Sequence, residues 1–122
     1  MRAKKADLPV AFQDGKSYMR TMEWGDMDAE WIFSQAGRDS TQRFKALPGG
    51  SCPIPHWGYL IKGRMRIKYR DHDEVINAGE TFYLAPGHIP VMEEDTELVE
   101  FSPKGKTKEM MEILSRNAIR KQ

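Results

Sequence analysis

The stretch Cys52-Pro-Ile-Pro-His56 places a thiol and an imidazole close together, with three residues between them. A thiolate and an imidazole are the donor set that zinc, copper or ferrous iron prefers. The same pair could serve as nucleophile and base, if the imidazole lies within hydrogen-bond reach of the sulfur and a third group orients it. The plainer reading is a small buried thiol beside a histidine that satisfies local hydrogen bonds. His72 stands between two aspartates in Asp71-His72-Asp73 and reads as a solvated turn residue.

The elements that must position such residues are short. The chain has 122 residues, enough for one domain with one core. Met65, Ile67 and Tyr69 alternate with Arg64, Arg66, Lys68 and Arg70, the pattern of a half-buried strand with one apolar and one basic face. Strand-like runs also occur in Ser17–Trp24, Ala29–Gln35, His56–Gly63, the Val75-Ile76-Asn77 run and the 79–103 stretch. Thr41–Leu47 reads as one more short strand, closed by Pro48-Gly49-Gly50. Many short strands split by Gly and Pro predict an antiparallel sandwich or barrel over residues 17–104. Residues 1–16 read as a flexible arm. Met110, Ile113, Leu114 and Asn117 or Ala118 recur at helical spacing, so residues 105–122 are expected to carry a C-terminal amphipathic helix.

Residues 48–102 resemble the barrel of the cupin superfamily. The segment Tyr59–Ile67 is similar to the strand-glycine-strand unit that closes the first cupin motif, and Ala78–Pro90 to the second motif. Gly63, Gly79, Pro86 and Gly87 carry the likeness. The resemblance implies an all-β double-stranded β-helix, a jelly-roll barrel, here with a C-terminal α-helix. Metal-binding cupins use histidines and a glutamate as ligands. Counted back from Gly63, His56 falls on the glutamate position, Cys52 on the second histidine and Gly50 on the first. Counted forward from Gly87, Pro90 falls on the third histidine, with His88 two residues before it. None of these positions keeps the family's usual residue.

The resemblance places His56 on the inner face, with His88 beside it and Cys52 near the same cavity. Those three are the candidate ligands of one transition metal ion: zinc, iron, copper or manganese. Gly58 removes a side chain from that face and would leave room for a small-molecule ligand. Phe82 or Tyr83 would wall the pocket, and Glu100 would supply an inner carboxylate. The resemblance keeps two functions open: a small-molecule-binding barrel, with or without a metal, and a metal-dependent dioxygenase- or isomerase-like enzyme. It also implies a homodimer, since an open edge strand is an aggregation liability.

Charge argues against other partners. Lys plus Arg number 19 against 18 for Asp plus Glu, a net charge of +1. Such a balance offers no long-range field for nucleic acid or an anionic membrane. The basic strand face has no aromatic on it to stack a base, and it reads as solvated. No apolar run reaches the roughly 20 residues of a spanning helix. A single cysteine excludes an internal disulfide, and a cytoplasmic protein with a reduced thiol is expected.

Overall fold

The computed structural model describes residues 1–120. Among the described residues nine strands and one α-helix follow in order: β1 (Val10–Asp14), β2 (Ser17–Trp24), β3 (Met27–Ser34), β4 (His56–Lys62), β5 (Arg64–Lys68), β6 (Asp73–Asn77), β7 (Thr81–Leu84), β8 (Ile89–Met92), β9 (Thr96–Pro103) and α1 (Lys106–Arg120). Every strand pair is antiparallel. Six strands form one sheet in the order β1-β2-β3-β9-β4-β7, and three form a second in the order β6-β5-β8. The two sheets are consistent with a jelly roll.

Side-chain alternation builds the core. Met65 and Ile67 of β5 are buried, as their spacing predicts, and meet Leu60, Phe82, Leu84 and Leu98 from the larger sheet. The opposite, basic face of β5 meets the acidic turn before β9. Arg64 and Arg66 bind Glu93 at 3.0 and 3.1 Å, and Arg64 also binds Glu94 at 3.0 Å. The face is therefore solvated but locally neutralised.

A second cluster closes one end of the molecule. Leu114 of α1 packs with Phe44, Leu47, Cys52 and Ile54, so the helix lies over the loop that leads into β4. Ala118's side chain and residues 121–122, which the sequence included in the helix, lie outside the described part. Among the described residues no helix is long and apolar enough to cross a membrane.

Three expectations change. Val10–Asp14, read as part of a loose arm, is a strand paired with β2. Thr41–Leu47 is not a strand: Arg43–Ala46 forms a 3-10 turn that buries Phe44. Apolar spacing in so short a run does not separate the two states; here packing against α1 does. Trp57 and Tyr59 share a face opposite His56, which predicts packing under the helix, under the N-terminal strands or against a partner; they pack under neither of the first two. They stand 45% and 42% exposed on the outer face of the large sheet.

Gly63 makes the turn from β4 to β5 at φ +93°, in the left-handed region. A Cβ there would also sit 2.6 Å from Thr96 Oγ1. Backbone strain and the clash add. Gly63→Ala is expected to lower stability by about 2 kcal/mol or more, read as a lower urea midpoint at unchanged slope.

Candidate metal site

Backbone pairing brings the thiol to one histidine. Cys52 forms an isolated antiparallel bridge with His88: Cys52 N–H donates to His88 O at 2.9 Å, and Gly87 N–H to Cys52 O at 2.8 Å. The second histidine arrives by strand alternation. His56 is the first residue of β4 and points inward with Leu60, while Trp57 and Tyr59 point outward. Cys52, His56 and His88 are all buried, and one donor atom of each lies within 4.8 Å of the others. Cys52 Sγ is 3.7 Å from His56 Nε2. The two imidazole rings meet edge-on with centroids 5.1 Å apart.

Hydrogen bonds determine which nitrogens are bare. The Nδ1 of His88 lies 2.7 Å from Ala85 O. A carbonyl only accepts, so that nitrogen carries the proton and Nε2 is left with a lone pair. The Nδ1 of His56 lies 2.6 Å from Ser102 Oγ and 3.2 Å from Glu100 Oε2. Ser102 Oγ is directed at Glu30 Oε1; with that oxygen unprotonated it receives the serine proton, and the serine oxygen then accepts from His56. Both imidazoles are thus tautomers with a free Nε2. Both have their other nitrogen anchored, the usual support of a metal-ligating histidine.

Electrostatics favour the same form. Burial lowers the pKa of His56 and takes that of His88 down to about 4, so both rings stay neutral. Burial pushes the Cys52 thiol up to about 12. A thiolate there needs a bound cation to hold it. A thiol so protonated, beside an imidazole with a lowered pKa, is poorly placed to be a nucleophile. The three donors form a group that could hold a metal ion.

Behind His56 sits a carboxyl pair. Glu30 of β3 and Glu100 of β9 are direct cross-strand partners on the inner face. Burial, and for Glu30 also the charge of Glu100, raises both: Glu30 to about 8 and Glu100 to about 7. Glu30, His56 and Glu100 form a second group able to hold an ion. That group would have to use the His56 nitrogen already hydrogen-bonded to Ser102.

A cavity of about 130 Å³ touches Cys52, His56, His88 and Glu100, with Met65, Leu84 and Met110 among its walls. Three residues expected in the pocket, Gly58, Phe82 and Tyr83, are placed elsewhere. A Cβ on Gly58 would lie 2.5 Å from the Phe82 ring, so the space left by that glycine holds Phe82 rather than a ligand. Tyr83, half exposed, points outward and lies against Trp57 with ring centroids 5.4 Å apart. Reasoning from sequence missed Glu30, Ser102 and Met110. The available signal for Glu30 was its place two residues before Ile32, on one face of a strand-like run.

No protein-family model matches the sequence, and no curated protein does. Solved structures do match. An RmlC-like cupin from Shewanella frigidimarina NCIMB 400 superposes with a TM-score of 0.61 at 14% identity, over 86% of this chain and 92% of that one. KdgF from Halomonas sp. gives 0.60 at 14% identity, over 83% and 93%. The S161A mutant of Bacillus subtilis oxalate decarboxylase OxdC gives 0.59 at 16% identity; the match spans 82% of this chain but only 28% of that one. The chain therefore has a cupin fold. At such identities the likeness is one of fold.

The raised carboxyl of Glu30 has a signed consequence. Its folded pKa exceeds the unfolded value, so it contributes stability below about pH 4.5, and that contribution is lost as pH rises towards 8. In chelator-treated protein, Glu30→Gln should flatten the fall in stability between pH 5 and pH 8, by at most about 1.4 kcal/mol per pH unit. Urea unfolding at both pH values measures it; parallel profiles for parent and variant would refute the assignment.

Proposed function

We propose that this chain is a cupin-fold barrel that binds one divalent transition metal through Cys52, His56 and His88, and a small molecule in the cavity beside it. The observation that carries the reading is the pair of anchored imidazoles: each histidine has Nδ1 hydrogen-bonded to an oxygen of the fold, Ser102 Oγ or Ala85 O, and His56 turns Nε2 to the buried Cys52 thiol at 3.7 Å. Zinc, iron, copper and manganese are the candidates, and three protein ligands leave a position for water or substrate. The cavity's walls are mostly apolar with a few polar groups, the usual form of a small-ligand site.

A second reading, a metal-dependent dioxygenase- or isomerase-like enzyme, is favoured by the carboxyl pair. Ser102 links Glu30 to His56, and Glu30 also lines an open groove of about 770 Å³ between β2, β3 and α1. Such a line could carry protons between the cavity and solvent.

The reading includes a cytoplasmic location, where the thiol stays reduced, and no nucleic-acid or membrane partner. It also includes a homodimer. Trp57, Tyr59, Ile61, Tyr83 and Phe101 are each 37–50% exposed on the outer face of the large sheet, which runs out to the edge strand β7. A contiguous apolar face of this kind marks an interaction surface, and a second copy covers it. Sedimentation should give a dimer for the parent and a monomer for Trp57→Glu, Tyr83→Glu; a monomeric parent at all concentrations would exclude the pairing.

The metal is tested by elemental mass spectrometry on untagged protein beside His56→Ala, His88→Ala. About one metal per chain is expected in the parent and none in the variant. No metal in either, with an unchanged melting temperature on metal addition, refutes the site. Loaded protein is then screened for oxygen uptake and for isomerisation of small sugars and acids.

A further inference from the structure

The apolar stripe of α1 hides a second sulfur. Met110 lies on the face of the helix turned towards the Cys52 loop, and its Sδ is 3.6 Å from Cys52 Sγ. It also walls the cavity that the thiol and both histidines share. We infer that Met110 is the fourth protein ligand of this site, and that the site is built for copper, Cu(I) above all. The inference rests on the metal-binding reading and goes beyond it by naming the metal and by filling with Met110 the position that the three-ligand reading leaves open.

Distances carry the argument. Two sulfurs held about 2.3 Å from one ion at a tetrahedral angle are about 3.8 Å apart, and a sulfur and an imidazole nitrogen about 3.6 Å apart. Cys52 Sγ stands 3.6 Å from Met110 Sδ and 3.7 Å from His56 Nε2. The thiol therefore has on either side the separations of ligands that share a metal. A thiol packed against a thioether gives the first distance alone; the imidazole nitrogen gives the second.

The donor set then selects the ion. Thiolate and thioether are soft donors that favour Cu(I), and two imidazoles with a cysteine and a more distant methionine are also the set that holds copper in electron-transfer sites. The carboxylates that would suit manganese or other hard ions are engaged elsewhere: Glu30 and Glu100 lie at the Nδ1 of His56, around Ser102. Binding breaks the Cys52 S–H bond, forms an S–Cu bond and releases the proton to solvent. No electron is transferred. The bound ion would join α1 to the loop before β4, two elements otherwise held by the Leu114 cluster.

The test uses the full chain, stripped of metal. Anaerobic Cu(I) competition with a chromogenic chelator, and Zn(II) competition in parallel, give two affinities for the parent and for Met110→Leu. Leucine keeps the apolar packing, and the melting temperature of the metal-free variant checks its fold. Cu(I) affinity is expected to fall by about tenfold or more in the variant, and Zn(II) affinity by less than about twofold. X-ray absorption at the copper edge should count two sulfur neighbours in the parent and one in the variant. One sulfur in the parent, or equal Cu(I) affinity in both proteins, overturns the role of Met110 and leaves the three-ligand site standing. A parent that binds neither ion overturns both readings.

Discussion

The proton on Nδ1 of His56 is the constraint on which the interior depends. Ser102 accepts it, because its own hydroxyl proton is given to Glu30. One bond therefore sets the tautomer of a buried histidine, the direction of its free lone pair and the link to a carboxyl on another strand. While Glu30 Oε1 holds the serine proton, reversing that bond would put a lone pair against an oxygen lone pair in a site with almost no water access, a penalty on the scale of a lost buried hydrogen bond. The bond also needs three strands in register: β4 for His56, β9 for Ser102 and β3 for Glu30.

The interior thus divides in two. Towards β5 and β7 it is an ordinary apolar core of Leu60, Met65, Ile67 and their neighbours. Towards α1 and the loop before β4 it holds a thiol, two imidazoles and two carboxyls. Burying so many polar groups opposes folding unless each is satisfied. The backbone answers part of this need, through Ala85 O for His88 and the bridge that ties Cys52 to the same turn. Raising the carboxyl pKa values answers another part, since a protonated carboxyl costs less to bury than a carboxylate. Groups held at such a cost are characteristic of functional sites rather than of cores.

The outer face of the large sheet follows from the same alternation. Turning His56 and Leu60 inward obliges Trp57 and Tyr59 to face outward, and cross-strand pairing sets Tyr83 and Phe101 beside Trp57. The apolar exterior and the polar interior are two consequences of one register. A slip of one residue in β4 would exchange them.

Local sequence determined a good deal about this protein. The period-two pattern of β5, the helical spacing around Leu114, the glycine turns and the presence of Cys52, His56 and His88 as candidate ligands were all legible, because each rests on neighbours within a few residues. The cupin likeness extended that to the fold. Only the tertiary structure decided the rest. Glu30 and Ser102 are 72 residues apart and meet through the pairing of β3 with β9. Cys52 and Met110 are 58 apart and meet because α1 folds back over the loop. Neither Phe82 nor Tyr83 walls the cavity, because strand register, which is a long-range property, turns Phe82 into the apolar core and Tyr83 outward. Spacing along the chain names the groups able to do chemistry; pairing between distant strands selects which of them share a cavity.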